Sequence, residues 1–161
     1  MAAVDYFLKI DGIEGEATAK GHEKEIEIES FSWGETNTGS HATGGGGGAG
    51  KVNMQDFHVT MKNNSASPKL LLACASGEHI KKAILTCRKA GKEQQEYLKL
   101  TMNDILVSSF QTSGSAGEMI PMDSFSLNFA KIEYEYKPQK PDGTLGSAVK
   151  AGWDLKTGTK V

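Results

Sequence analysis

Apolar and polar residues alternate along most of this chain, and a period of two is typical of β-strands that are buried on one face. Residues 6–10 and 25–29 show this alternation, and three glutamates form the polar face of the second segment. Beyond it the large apolar residues move to odd positions, at Phe31 and Trp33. A one-residue change of phase turns a strand over, so we predict a β-bulge near residues 29–30.

The same alternation predicts further strands over residues 54–62, 80–89, 96–102, 105–112, 123–136 and 153–156. Within 123–136 the apolar positions change from odd to even, which predicts a second bulge at about Ala130. A long strand with such a shift favours a closed or nearly closed barrel. We therefore predict a mainly β fold, a single β-barrel of two packed sheets, forming one domain over residues 1–161. The charged strand faces are either a solvated outer wall or a passage shared between subunits.

One segment carries helix signals instead. Ser67 is a suitable N-cap, Pro68 suits the first helical position, and Gly77 suits a left-handed stop. These signals predict one short α-helix over about residues 68–76.

A run of five glycines, residues 44–48, lies between two predicted strands and is followed by Ala49, Gly50 and Lys51. Gly45, Gly50 and Lys51 have the spacing of a phosphate-binding loop, but that motif requires a hydroxyl residue next and then a helix. Here Val52 and a predicted strand follow. We therefore reject a nucleotide site and predict a long glycine-rich arm over about residues 35–51. Because glycine loses much backbone freedom on ordering, the arm is either mobile or held by a partner.

Composition excludes several classes of partner. The chain has 18 basic and 20 acidic residues, a net charge of −2, and no basic cluster, so we expect no nucleic-acid binding. The longest apolar run, residues 70–75, is too short to span a bilayer, so we expect no membrane insertion. The N-terminus has no basic stretch followed by an apolar region, so we expect no signal peptide and a protein that the usual export routes leave in the cytosol.

Residues that could carry chemistry are scattered. Cys74 and Cys87 have no metal-ligand spacing and are expected to be free thiols, and the four histidines lie in different elements. The run 113–117 resembles a nucleophile elbow only loosely, and a strand follows it where a helix is required. We expect no catalytic site, no metal, no cofactor and no enzyme activity.

An ordered set of short motifs nevertheless resembles the haemolysin-coregulated protein (Hcp) family, the tube subunits of bacterial type VI secretion systems. The resemblance covers nearly the whole chain. Its motifs are residues 5–10 with Gly12, Gly15 and Glu16, residues 32–34, the glycine loop through 51–53, residues 67–70 with Cys74 and Gly77, and residues 97–98, 107–109, 127–130 and 152–154.

This resemblance implies a β-barrel with one helix on its side, six copies closing into a ring, and rings stacking into a hollow tube. It also implies spike, sheath and baseplate partners, and small effector proteins carried in the lumen of the ring. The protein would be in the bacterial cytoplasm before firing and would then be secreted to the extracellular space or a target cell. In that family the long loop after the second strand contacts neighbouring subunits.

The resemblance assigns the subunit contacts to the arm and to one aromatic residue near the C-terminus. The candidates are Thr38, Ser40, His41, Gly44, Gly45, Gly46, Gly47, Gly48, Gly50 and Lys51, together with Trp153. For the lumen, Ser113 and Ser115 are candidates for effector contact, and an ordinary turn is the alternative for both. A different class also remains open, a small-ligand-binding β-barrel with the glycine arm as its lid.

Overall fold

The computed structural model describes residues 4–39, 51–89 and 94–161. The strands in chain order are β1 (Val4–Ile10), β2 (Ile26–Ile28), β3 (Ser30–Ser32), β4 (Glu35–Asn37), β5 (Val52–Met54), β6 (Phe57–Lys62), β7 (His79–Lys89), β8 (Gln95–Ser113), β9 (Met122–Tyr136), β10 (Val149–Asp154) and β11 (Thr159–Lys160). Helix α1 (Ser67–Ser76) lies between β6 and β7. The mainly β class with one short helix is confirmed.

Antiparallel pairing joins most strands in the order β11-β10-β9-β8-β7-β1-β2, while β6 pairs with β3 on one side and with the first half of β9 on the other. The hydrogen-bonded ladder is not closed into a complete barrel. Its gap lies where β2 passes into β3, and there the Glu29 amide donates to the Thr60 carbonyl at 2.8 Å. The chain itself thus connects the two packed layers across the gap.

The change of phase predicted near residues 29–30 is a change of pairing partner. β2 pairs with β1, with Ile28 opposite Tyr6, whereas β3 pairs with β6, with Ser30 opposite Thr60. Glu29 between them lies outside both strands. The bend therefore carries one segment from one layer of the body to the other, which a simple bulge would not do.

The second predicted bulge, at Ala130, is wrong. The pairing of β8 with β9 keeps one register from Leu98 to Val107 and shifts between Val107 and Ser109, so the extra residue is Ser108 on the other strand. The phase change in β9 is accompanied by a different feature of the ladder. Asp104, on the neighbouring strand, has a left-handed φ of 54°, and the register is the same on both sides of it.

Several strand limits also differ from the predictions. Segments 96–102 and 105–112 form one strand, β8, and segment 54–62 is interrupted at Gln55 and Asp56 between β5 and β6. The last long strand, β10, ends at Asp154 and begins at Val149. Residues 35–51, predicted as a glycine-rich arm, begin with β4.

Helix α1 spans the predicted segment and ends as expected, at Gly77 with φ of 65°. Ser67 is not its N-cap, since Ala66 holds that position and no side chain caps the helix. The Ser67 hydroxyl instead donates to the buried Asp123 carboxylate on β9 at 2.5 Å. A tertiary contact therefore uses the side chain that the local pattern assigned to capping.

A continuous apolar core fills the space between the layers. The largest side chains with less than 2 % exposure include Phe7, Phe57, Phe125, Met61, Leu100, Met102 and Leu127. Leu70 and Ala73 of the helix are fully buried against this core. Cys87 is buried and Cys74 half-buried, and both are free thiols, as predicted.

Candidate assembly surface

Four strands, β3, β6, β9 and the second half of β8, form a sheet whose inner face packs on the core. Val59, Phe125 and Leu127 point inward and are buried. Because side chains alternate across a strand, the residues between them lie on the outer face. Strand register aligns these in two rows, Ser30, Thr60, Ser124 and Gln111, and then Ser32, His58, Ser126 and Ser109. We call these eight residues the hydroxyl face.

Short hydrogen bonds join side chains on this face to one another and to side chains beside it. The bulge in β8 brings both Ser108 and Ser109 to the Ser126 hydroxyl, at 2.7 and 2.6 Å. Ser108 also donates to the Asp56 carboxylate at 2.7 Å, and the Asn128 amide donates to the other oxygen of Asp56 at 2.9 Å. The partners are hydroxyls, an amide and one carboxylate, so this surface is suited to polar contact with another molecule.

Two strand edges border this sheet. β3 pairs with β6 on one side, and its other side has no partner strand among the described residues. β7 pairs with β8 only as far as Leu106, opposite His79, so residues 107–113 are paired on one side alone within the same described ranges. Unpaired backbone N–H and C=O groups at such edges are able to pair with a strand of another chain.

The described part of the arm is a two-stranded hairpin that stands apart from the main sheet. β4 pairs with β5, with Asn37 opposite Val52 and Glu35 opposite Met54. Thr38 and Lys51 continue it and are exposed. The candidates Ser40, His41, Gly44, Gly45, Gly46, Gly47, Gly48 and Gly50 lie outside the described residues.

An apolar groove of about 1060 Å³ separates this hairpin from β9 and β10. It brings together two of the predicted contact residues, Lys51 and Trp153. The other large side chains that line it are Trp33, Met54, Ile132, Tyr134 and Leu155. The Trp33 indole Nε1 is buried and has no hydrogen-bond partner in the described structure. This aromatic surface is open to solvent in the single chain.

The two lumen candidates lie at one end of the hydroxyl face. Ser113 ends β8, opposite Met122, and lines a shallow pocket with Thr60 and Ser124. Ser115 lies in the exposed turn that follows, where its carbonyl accepts from the Glu118 amide at 3.1 Å. Sequence reasoning did not identify the eight residues of the hydroxyl face. The signal available in the sequence was that small hydroxyl residues occupy the positions between the buried apolar residues of these strands.

The remaining ionisable groups of the described residues bear on two kinds of reactive centre, a metal site and an activated thiol. The described ranges hold no group of three or more His, Cys, Asp and Glu residues that could bind a metal ion. Burial raises the pKa of the Cys87 thiol to about 12, which keeps it protonated and unreactive at neutral pH. Across the same ranges, no helix combines the length and the apolar character needed to span a bilayer.

Comparison with known proteins identifies the family. The family model described as "Type VI secretion system effector, Hcp" matches residues 7–136. Protein hcp1 of Pseudomonas aeruginosa is 47 % identical over 156 residues, covering 96 % of both chains.

Solved structures agree with this match. The crystal structure of Hcp1 from Salmonella typhimurium has a TM-score of 0.82 at 35 % identity, covering 99 % of this chain and 100 % of the other. A structure described as a type six secretion system protein has a TM-score of 0.93 at 30 % identity, with the same coverage. The chain therefore belongs to the Hcp family of type VI secretion proteins, a family of structural proteins and not of enzymes.

Proposed function

We propose that this chain is the subunit of the type VI secretion inner tube, in which six copies close into a ring and rings stack into a tube. The observation that carries the proposal is the four-stranded sheet, which in the described part of the chain has an unpaired edge on each side, at β3 and at residues 107–113. The number six comes from the family resemblance. The two edges would allow neighbouring copies to pair strand to strand and so to form a ring.

The two edges are different, so a contact between them is heterologous, and such contacts produce closed rings when the rotation per subunit closes. Strand direction is also compatible. β3 is antiparallel to β6, β6 to β9, and β9 to β8. Placing β3 of the next copy beside β8 continues this alternation, so a continuous antiparallel sheet would run around the ring.

In such a ring the hydroxyl face of every copy would lie on the same side of the continuous sheet. We therefore assign this face to the wall of the lumen. The neighbouring Ser113 and Ser115 would then contact small effectors. The charged strand faces would lie on the outer wall, since Glu27 is on β2 and Glu133 lies where β9 pairs with β10. The ring would be exported by the type VI apparatus with its spike, sheath and baseplate partners.

Two exposed apolar regions would be covered on assembly. One is the groove beside the arm, with Trp33 and Trp153. The other is the outer side of α1, where Leu71 and Leu72 are 56 % and 62 % exposed. Large exposed apolar patches commonly mark protein interfaces. We infer that the arm contacts an adjacent subunit on assembly.

Light scattering behind a sizing column tests the ring, with an expected mass of about six times 17.3 kDa. Negative-stain images of the peak should show rings.

Cysteine pairs then test the edges. Ser32→Cys combined with Ser109→Cys or Gln111→Cys should give cross-linked ladders up to six chains under mild oxidation, while each single variant should give no ladder. A monomer over a wide concentration range, or ladders absent from every pair, would contradict the proposal.

The groove also favours a second candidate, the small-ligand-binding barrel with the arm as lid. The barrel core is filled, since Phe57, Met61 and Leu127 have no exposed surface. A ligand would therefore have to bind in the external groove beneath the arm. This function predicts a small particle whose melting temperature rises with an apolar ligand, whereas the tube subunit predicts no dependence on such a ligand.

A further inference from the structure

His22 lies in the loop between β1 and β2 and has a carboxylate on each side of its ring. Its Nδ1 is 2.9 Å from Glu25 Oε1, and its Nε2 is 2.6 Å from Glu96 Oε1. Glu25 is in the same loop, while Glu96 is at the start of β8, 74 positions away in sequence. His22 is 6 % exposed and stacks on the Phe7 ring at 4.5 Å.

Proton counting decides the state of this ring. A neutral imidazole has one N–H donor and one bare nitrogen, so it is able to donate to only one of two carboxylates. The other nitrogen would then place its lone pair against a carboxylate oxygen. Both contacts are favourable together when both ring nitrogens carry protons, as in the imidazolium ion.

We propose that His22 is a proton-operated latch that fastens the loop over residues 11–25 to strand β8 while its ring carries two protons. On loss of one proton, the contact to either Glu25 or Glu96 becomes repulsive. Glu96 is the partner expected to release, because its side chain is 51 % exposed and that of Glu25 only 12 %. The loop is held to itself by backbone bonds, such as Gly15 to Lys24 at 2.8 Å, so it would detach from β8 as a unit.

Charged groups surround the latch on each neighbouring element. The two carboxylates face the ring from the loop and from β8. Arg88 on β7 lies over the same Phe7 ring, 4.9 Å from its centroid, and opposes a second positive charge, but it is paired with Asp5 on β1 at 3.2 Å. Lys20, Glu23 and Lys24 flank His22 within its own loop and are exposed. The carboxylates in direct contact therefore dominate.

The sign of the pH effect follows from this balance. Burial alone would lower the pKa of His22, but the hydrogen bonds and charges of Glu25 and Glu96 outweigh it and raise the pKa above 6.5. Stabilisation by the latch is then fully present below the unfolded-state pKa and is lost as pH rises through the higher folded-state value.

Nuclear magnetic resonance of the full chain, labelled at histidine ring nitrogens, tests the latch directly. At about pH 6.5, where a free imidazole is half protonated, most of His22 should carry protons on both ring nitrogens. Glu96→Gln should lower the pKa of His22, because it removes one of the two charges in contact. Glu96 is half exposed, so this variant should remain folded.

Hydrogen exchange then separates a latch from an ordinary buried histidine. Amides of residues 14–25 should exchange faster as pH passes the His22 pKa, beyond the intrinsic effect of pH on exchange. Glu96→Gln should move this transition to lower pH, and His79→Gln, the matched control, should leave it unchanged. A ring that carries mostly one proton at about pH 6.5, or an exchange transition that Glu96→Gln does not move, would overturn the proposal.

Discussion

Replacing Asp123 should weaken the attachment of helix α1 to the sheet, and the structure allows the size of the effect to be derived. Asp123 is 1 % exposed and accepts from the Ser67 hydroxyl at 2.5 Å and from the Asn63 amide at 3.1 Å. Ser67 is itself buried at the first turn of the helix, whereas Asn63 is exposed. The carboxylate therefore satisfies one donor that water does not reach and one that water does reach.

In Asp123→Ala the Ser67 hydroxyl loses the acceptor of its proton while it stays buried, and it keeps only the bond that it accepts from the Asn64 amide at 3.0 Å. A hydrogen bond to a charged group contributes about 1.5–3 kcal/mol, and an unsatisfied buried donor carries a similar cost. Loss of the Asn63 hydrogen bond adds little to the loss of stability, because water replaces the carboxylate as the acceptor. We expect the free energy of unfolding to fall by about 2–3 kcal/mol in Asp123→Ala, and by less in Asp123→Asn, which keeps one oxygen for Ser67.

Asp56 provides the matched control, because it also accepts from one hydroxyl and one amide, those of Ser108 and Asn128, but at the exposed face. Asp56→Ala should cost less than about 1 kcal/mol. Urea unfolding of both variants at one protein concentration gives the comparison, and a double-mutant cycle with Ser67→Ala isolates the buried pair. If Asp123→Ala and Asp56→Ala lower stability equally, burial does not determine the effect and the reasoning is wrong.

Two further predictions use pairs within the chain. A Cβ on Gly15 would lie 2.6 Å from the backbone oxygen of Glu25, so Gly15→Ala should lower stability by about 1–3 kcal/mol in thermal or urea unfolding. Gly117→Ala meets nothing within 4 Å and should change it by no more than about 0.5 kcal/mol, and equal effects would contradict the clash. With a thiol reagent at mildly alkaline pH, Cys74 should react in the native protein, whereas Cys87 should react only after unfolding, since its pKa is about 12. Rapid labelling of both native thiols would show that Cys87 is not held in the core.

The fold was largely predictable because alternation in a strand and caps in a helix are local properties. What failed depended on contacts distant in sequence. The Ser67 side chain is used by Asp123, 56 positions away, so no local pattern distinguishes it from an N-cap. The phase change at residues 29–30 was visible, but its meaning, a change of partner from β1 to β6, requires the register of both pairs.

The candidate site was less predictable for the same reason. Each strand contributes only one or two hydroxyls to the outer face, and only the pairing of β3, β6 and β9 aligns Ser30, Thr60 and Ser124 in one row. The His22 contact to Glu96 also spans two distant segments. Lys51 and Trp153 were named because the family resemblance covers them. Their meeting in one groove is a result of the structure.

The bend at Glu29 connects the fold to the proposed assembly. The two layers are joined at this point by the chain itself and not by a further strand. Among the described residues, β3 therefore pairs on one side only. The edge it offers is three residues long, and short edges resist indiscriminate pairing with other proteins. The opposing edge, residues 107–113 of β8, is longer. β4 follows β3 after only two residues, so the arm is placed to extend the contact beyond β3. Specific assembly would then require both the short edge and the arm, and the small-ligand function would require neither edge.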